Sequence, residues 1–156
     1  MGDTVANLAR ACEAINALDG VRVVAVSAVY HTEPQDKRDQ DWFANQVARI
    51  ECRASLTPED LLAALLAIES SMGRRRSDAP EDRYGPRVID LDLLLFGNAR
   101  RHTPDLVLPH PRMQERAFVL IPLRDVAPAL AFPDGKTLVD ALERLSFRLE
   151  GQRIWQ

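Results

Sequence analysis

The chain has 156 residues, of which 46% are hydrophobic and 28% are charged, and its formal net charge at pH 7 is −3. This size and composition predict one globular domain, residues 1–156, with a real hydrophobic core. The net negative charge argues against a nucleic-acid partner. The longest purely apolar run, 61–68, is far too short to cross a membrane, so no membrane partner is expected. Cys12 and Cys52 lack metal-ligand spacing and are expected as buried thiols in a reducing cytoplasm.

The first half of the chain predicts two helices with two strands between them. Helical spacing over 3–18 gives an apolar stripe formed by Val5, Leu8, Cys12, Ile15 and Leu18. The β-branched residues of 21–30 predict a strand, and alternation over 42–52 predicts a second strand. Thr57, followed by a proline and two acids, predicts the start of a helix that ends at Gly73.

The second half predicts one long strand and two further helices. The strand covers 87–96 and is followed by a short extended piece at 106–111. One helix is predicted at 113–121, ended by Pro122, and another at 137–145. The order α-β-β-α-β-α-α indicates the α+β class, with strands linked by hairpins rather than a doubly wound parallel sheet.

Two acids interrupt the apolar residues of the predicted strand at 87–96. In a strand Asp90 and Asp92 share one face, with Cα atoms roughly 6.5–7 Å apart at about 3.3 Å per residue. Two neighbouring carboxylates are costly to desolvate without cations, and Mg²⁺ is bound by one or two carboxylates together with water and phosphate. A buried, salt-bridged pair of structural acids is the alternative interpretation.

An arginine-rich segment at 73–87 precedes these acids. It contains Arg74, Arg75, Arg76, Arg83 and Arg87. Guanidinium groups bind phosphate oxygens bidentately, so acids beside such a segment favour phosphoryl-type chemistry on a nucleotide. A solvated loop is the alternative for each arginine. No P-loop sequence occurs, which disfavours a P-loop kinase.

Several motifs then point together to one family. They are R-x-x-D-L-D-x-x-L-F-G from Arg87 with Y-G-P before it, P-H-P-R-M from Pro109, and Y-x-T-x-P from Tyr30 followed by F-x-N from Phe43. Over essentially its whole length the chain resembles the 6-hydroxymethyl-7,8-dihydropterin pyrophosphokinases of folate biosynthesis. The resemblance implies a ferredoxin-like antiparallel sheet with helices packed on it. It also implies transfer of pyrophosphate from ATP to the pterin, release of AMP, and a functional link to dihydropteroate synthase.

The resemblance implies roles in nucleotide and metal binding. Asp90 and Asp92 correspond to acids that bind two Mg²⁺ ions along the ATP phosphates, and Tyr84 replaces an aromatic residue that is often Trp. The implied catalytic residues are Arg74, Arg76, Arg87, Asp90 and Asp92. The implied ATP contacts are Glu69, Arg74, Arg76, Tyr84, Arg87, His110 and Arg116. On their own, Glu69 is typical of a solvated surface acid and His110 of a capping histidine between two prolines.

The resemblance also implies a pterin pocket. Asn45 corresponds to a side-chain amide that offers a donor and an acceptor to the ring edge. Phe43 and Phe118 correspond to aromatic residues around the ring, although core packing is the alternative for both. The implied substrate contacts are Thr32, Pro34, Phe43, Asn45, Asp90 and Phe118.

The start of the chain departs from the family pattern. Members usually begin with a hydrophobic strand that ends in a G-S-N-L-G-D-like turn, whereas Asp3 and Thr4 already begin a helix here. We therefore expect a fold that lacks the family's first strand. Two alternative functions stay open: an N-terminally truncated, catalytically impaired module that binds nucleotide or pterin, and a Mg-nucleotide transferase that uses another acceptor.

Overall fold

The structure, a computed structural model, describes residues 3–33, 42–73 and 88–156. Its helices are α1 (Thr4–Asn16), α2 (Pro58–Ser71), α3 (Ala117–Val126) and α4 (Leu138–Glu143), with a 3₁₀ turn at Met113–Glu115. Its strands are β1 (Val21–Val26), β2 (Tyr30–Thr32), β3 (Phe43–Asn45), β4 (Ala48–Cys52), β5 (Arg101–His102), β6 (Val107–Leu108), β7 (Arg148–Glu150) and β8 (Arg153–Trp155). The α+β class is confirmed. None of the described helices is long and apolar enough to span a membrane.

The predicted helix starts form because their capping groups are local in sequence. Asp3 accepts a hydrogen bond from the Ala6 N–H at 3.1 Å and so caps α1. At α2 the Thr57 hydroxyl accepts from the Asp60 N–H, and the Asp60 carboxylate accepts from the Thr57 N–H. This reciprocal pair satisfies two backbone donors that a helix start leaves without helical partners.

Among the described residues the strands form three sheets. β1 pairs with β4, β5 pairs with β6, and a four-stranded sheet has the order β3-β2-β8-β7. In that sheet the β2–β3 pair is antiparallel, as predicted. The β7–β8 pair, which the sequence did not predict, is also antiparallel, whereas β2 and β8 pair parallel. A parallel pair needs a long crossover, which the segment carrying α3 and α4 supplies.

The two strands predicted at 21–30 and 42–52 each divide into two. Ser27, which is buried, donates its N–H to the Val47 carbonyl at 2.8 Å. The Ser27 hydroxyl accepts the Val47 N–H at 2.9 Å, in place of a backbone ladder bond. This side-chain contact ends the β1–β4 pairing, and the chain then continues into β2, which pairs with β3 and β8.

The predicted strand at 87–96 is wrong for its described part, since residues 88–96 form no strand. The backbone groups of this segment bond elsewhere. The Leu91 N–H donates to the Glu69 carboxylate, and the Leu94 carbonyl accepts from the His110 N–H at 2.9 Å. The backbone groups of this segment therefore bond to a side chain and to a loop residue rather than to a neighbouring strand.

The chain divides into two compact units, Met1–Val23 with Ile50–Leu93 and Val24–Arg49 with Leu94–Gln156. In the first unit α1 packs on α2. The buried face of α1 consists of Asn7, Ala11 and Ile15. The predicted stripe is therefore wrong in part, because Val5 is 46% exposed. Both sets have helical spacing, so the sequence period alone did not discriminate between them.

The second unit has a hydrophobic core formed by α3, α4, the 3₁₀ turn and the four-stranded sheet. Its fully buried side chains include Met113, Leu120, Ile121, Leu138 and Ile154. Pro122 does not end α3, as the sequence predicted, but lies inside it and is fully buried. A proline there removes the N–H that would donate to the Phe118 carbonyl, and the tight packing around the helix outweighs that loss.

Candidate functional site

The acid pair lies on a segment whose exposure alternates. Ile89 is buried, Asp90 is exposed, Leu91 is half-buried and Asp92 is exposed. Both carboxylates therefore lie at the surface, whereas the apolar side chains of Ile89 and Leu91 are turned away from solvent to a greater degree. Exposure at both positions argues against the alternative of a buried structural pair.

Glu69, near the C-terminal end of α2, holds the backbone between these two acids. Its side chain is buried, with 3% of the residue exposed, and its Oε2 accepts the Leu91 N–H at 3.0 Å. The interpretation of Glu69 as a solvated surface acid is therefore wrong. Because a charge-assisted bond fixes the Leu91 peptide, Glu69 sets the backbone from which Asp90 and Asp92 project.

The donor set of this segment fits magnesium. Within the described parts of the chain no three His, Cys, Asp or Glu side chains come together as a metal cage. Mg²⁺ rarely needs such a cage, because it keeps several waters and is bound by one or two carboxylates plus phosphate oxygens. Two exposed carboxylates on a fixed backbone meet that requirement.

The second unit brings together three residues that the sequence predicted for the pterin pocket: Thr32, Phe43 and Asn45. Antiparallel pairing places Thr32 opposite Phe43 and Tyr30 opposite Asn45. The Asn45 Nδ2 donates to the Thr32 Oγ1 at 3.0 Å and to the Phe43 carbonyl at 3.3 Å. Thr32 on the paired strand and Phe43 on the same strand thus fix the orientation of the Asn45 amide.

The two phenylalanines have different environments. Phe43 is 54% exposed, so the alternative of core packing is wrong for it. Phe118 is half-buried against the core of the second unit, and the Arg116 Cζ lies 5.5 Å from its ring centroid. An arginine at that distance from an aromatic face makes a cation–π contact, so these two predicted site residues touch each other.

His110 donates its backbone N–H to the Leu94 carbonyl and lies just before the 3₁₀ turn. Its Nδ1 accepts the Arg112 N–H at 3.3 Å, which agrees with the capping interpretation. With Nδ1 as acceptor, the neutral ring carries its proton on Nε2. His110 therefore caps the turn through its Nδ1.

Five predicted site residues lie outside the described residues: Pro34, Arg74, Arg76, Tyr84 and Arg87. Their roles stay predictions. Sequence reasoning in turn missed the β7–β8 hairpin, although Arg148 to Trp155 alternates in polarity around Gly151, which has a φ of 58°. A glycine in a two-residue loop between alternating segments is the usual sign of a hairpin.

Comparison with known proteins first shows which class of enzyme the similar proteins belong to. The chain is 47% identical over 145 residues to a 2-amino-4-hydroxy-6-hydroxymethyldihydropteridine pyrophosphokinase of Methylorubrum extorquens, covering 93% of this chain and 87% of the relative. It is 46% identical over 137 residues to the Pseudomonas aeruginosa protein of that name, covering 88% and 81%. It is 36% identical over 156 residues to the Bacillus subtilis protein of that name, covering 100% and 85%. These relatives are pyrophosphokinases by name.

A match to a family model then identifies the particular family within that class. The model described as 7,8-dihydro-6-hydroxymethylpterin-pyrophosphokinase (HPPK) matches residues 1–128. The chain belongs to this family, and the resemblance stated from its motifs is confirmed.

Proposed function

We propose that the protein transfers the terminal pyrophosphoryl group of ATP to 6-hydroxymethyl-7,8-dihydropterin, a step of folate biosynthesis. The geometric observation that carries this proposal is the exposed pair Asp90 and Asp92 on a backbone fixed by buried Glu69. Family membership supplies the substrates. No feature of the described residues favours the alternative of an impaired binding module.

The reaction exchanges one P–O bond for another. The hydroxymethyl oxygen of the pterin attacks the β-phosphorus of ATP and loses its proton. The bond between the β-phosphorus and the oxygen bridging it to the α-phosphorus breaks, and AMP leaves with that oxygen. No described side chain is needed as a general base, since positioning and electrostatic stabilisation supply most of the catalysis in phosphoryl transfer.

Asp90 and Asp92 would hold Mg²⁺, and we propose two ions. When bound, the metal supplies positive charge beside the phosphate oxygens. The protein's own contribution is rigidity, because the Glu69 contact at Leu91 holds the backbone of both acids before ligand arrives. Asp90 is also proposed to contact the pterin, and Glu69 itself is proposed as a nucleotide contact.

In the second unit we propose that Asn45 hydrogen-bonds the pterin edge and that exposed Phe43 stacks on the ring. Thr32 orients the Asn45 amide at 3.0 Å, and Phe118 completes the apolar surroundings. Arg116 and His110 are proposed to bind ATP phosphates, together with Arg74, Arg76, Tyr84 and Arg87. Pro34 is proposed as a wall of the pterin pocket.

The finer expectations of the resemblance are proposals as well. They are a ferredoxin-like arrangement, a single domain over 1–156, and a functional link to dihydropteroate synthase. The lack of a first strand stays a prediction. A cytoplasmic location is supported by Cys12 and Cys52, which form no disulfide in the described chain.

A product assay tests the proposal. The protein is incubated with ATP and Mg²⁺, with and without 6-hydroxymethyl-7,8-dihydropterin, and AMP and ADP are separated by chromatography. We expect AMP, formed in proportion to the pterin consumed and absent without it. Formation of ADP, or AMP release that responds equally to unrelated hydroxyl acceptors, would contradict the proposed substrate pair.

A further inference from the structure

The β7–β8 hairpin lies beyond residues 1–128, the part that matches the family model, yet β8 occupies the centre of the four-stranded sheet. We propose that Gln156, the residue after β8, is a positioning residue for ATP binding that acts through Arg116. Its side-chain amide fixes the backbone on both sides of Arg116. This inference rests on the proposed function, because it takes Arg116 as a ligand of the ATP phosphates.

The amide of Gln156 makes two short contacts that bracket Arg116. Its Oε1 accepts the Ala117 N–H at 2.7 Å, and its Nε2 donates to the Glu115 carbonyl at 2.7 Å. A primary amide offers a donor and an acceptor side by side, so one side chain can hold two backbone groups at once. The residue between these groups is Arg116.

The first N–H group of α3 depends on Gln156 for its hydrogen-bond acceptor. Arg116 occupies the N-cap with φ −119° and ψ 108°, and no side chain of its own segment caps the helix. The first N–H groups of a helix have no partner within that helix. Gln156 supplies the acceptor for Ala117, the first helical residue, from a distant part of the chain. The cap of α3 is therefore tertiary rather than local.

Gln156 is delivered by a rigid strand. Ile154 of β8 is 1% exposed in the core of the second unit, and β8 pairs with β2 through His31 opposite Arg153. The Trp155 ring meets the Trp42 ring edge-on at a centroid distance of 5.2 Å. The amide of Gln156 therefore starts from a fixed backbone, although its side chain is exposed.

Fixing the Arg116 backbone limits where its guanidinium can reach. The guanidinium already lies over Phe118 at 5.5 Å. A ligand then binds an arginine that is partly ordered, and less conformational freedom is lost on binding. Removing the Gln156 amide should return that freedom and weaken ATP binding while leaving pterin binding nearly unchanged.

The test is a double-mutant cycle on the whole chain with Gln156→Ala, Arg116→Ala and the double variant. Titration calorimetry with a non-hydrolysable ATP analogue and Mg²⁺ gives Kd for each protein, and pterin titration provides the second readout. We expect Gln156→Ala to raise the Kd of the ATP analogue about threefold to tenfold, the range of one net hydrogen bond. In the Arg116→Ala background the same substitution should change Kd less than about twofold.

Two further variants separate positioning from loss of fold. Gln152→Ala changes the same residue type in the loop of the β7–β8 hairpin. Among the described residues, the backbone carbonyl of Gln152 accepts the His31 N–H at 2.8 Å. This variant should leave the ATP and pterin affinities unchanged. Gln156→Glu keeps an acceptor for Ala117 but loses the donor to Glu115, so its effect on Kd should be intermediate. If Gln156→Ala does not fold, this milder variant replaces it in the cycle.

Three results would overturn the inference. If Arg116→Ala weakens ATP binding but Gln156→Ala does not, the positioning role is wrong and the proposed role of Arg116 stands. If Gln156→Ala weakens binding by the same factor in both backgrounds, it acts independently of Arg116. If Arg116→Ala binds the ATP analogue as tightly as the parent, the proposed ATP contact itself is wrong and the inference fails with it.

Discussion

The contact between Glu69 and Leu91 leads to a prediction for both the stability of the fold and the Mg²⁺-dependent activity. Glu69 is buried on α2, and its carboxylate accepts the Leu91 N–H at 3.0 Å. Replacing it by Ala leaves the Leu91 N–H without this acceptor and frees the backbone that carries Asp90 and Asp92. We therefore expect Glu69→Ala to lower both thermal stability and Mg²⁺-dependent turnover.

The expected loss of stability follows from the contact. A hydrogen bond to a charged group contributes about 1.5–3 kcal/mol to the free energy of unfolding. For a protein of this size about 1 kcal/mol shifts Tm by roughly 2–4 °C, so Glu69→Ala should lower Tm by about 3–12 °C. Glu69→Gln keeps a neutral acceptor for Leu91 and avoids burying a charge, so its Tm should fall by less than about 4 °C.

The assay is a thermal melt combined with AMP formation at several Mg²⁺ concentrations. Ser70→Ala is the matched control, because Ser70 is the adjacent, exposed position of the same helix. It should change Tm by less than about 2 °C and leave turnover intact. A Glu69→Ala protein that melts within 2 °C of the parent would show that the Leu91 contact does not stabilise the fold, which contradicts the expected loss.

Three other predictions follow from the described residues. Asp92→Ala should abolish AMP formation while changing Tm by less than about 2 °C, because Asp92 is exposed; parent-like turnover would remove Asp92 from the metal site. Asn45→Ala should weaken pterin binding about tenfold or more in a fluorescence titration and leave ATP binding unchanged; an unaltered pterin Kd would refute the amide contact. Burial, followed by the hydrogen bond to Asp125 at 2.8 Å, raises the pKa of Tyr30. The neutral phenol is therefore favoured in the fold, so its contribution is complete below about pH 10 and is lost as pH rises through the higher folded pKa. Melts between pH 8 and 11.5 should show a smaller alkaline loss for Tyr30→Phe than for the parent, and parallel curves would contradict this assignment.

Features that depend on neighbouring residues could be predicted from the sequence. The capping box of Thr57 and Asp60 is three residues long, and the period of the following residues is helical. The α+β class follows from the order of such segments. The acid pair at Asp90 and Asp92 was also recognisable, because two acids in an apolar run are costly unless something binds there.

Features that depend on contacts between residues far apart in the chain could not be predicted from the sequence. The division of the predicted strand at 21–30 rests on Ser27 bonding to Val47, twenty residues away. The burial of Glu69 depends on Leu91, and a helix-end glutamate gives no sign of that partner in the sequence. Pro122 marks a helix end by local rules, yet tertiary packing keeps it inside α3. These are the positions where packing overrides local propensity.

Part of the candidate site could be predicted because its residues stand in short sequence motifs. Thr32 and Asn45 stand in motifs that a reader of one sequence can align with the family, and their side chains meet at 3.0 Å. Gln156 stands in no such motif, and its contacts with Glu115 and Ala117 span about forty residues. Positioning residues of this kind become visible only when the backbone groups they hold are known.

The most direct test of the proposed reaction is the identity of its phosphorylated product. Phosphorus NMR of a mixture of the protein, ATP, Mg²⁺ and 6-hydroxymethyl-7,8-dihydropterin distinguishes a diphosphate ester from a monophosphate ester. We predict two coupled phosphorus signals on the pterin product and one AMP for each product molecule. A single phosphorus on the pterin together with ADP would show transfer of one phosphoryl group and would contradict attack at the β-phosphorus.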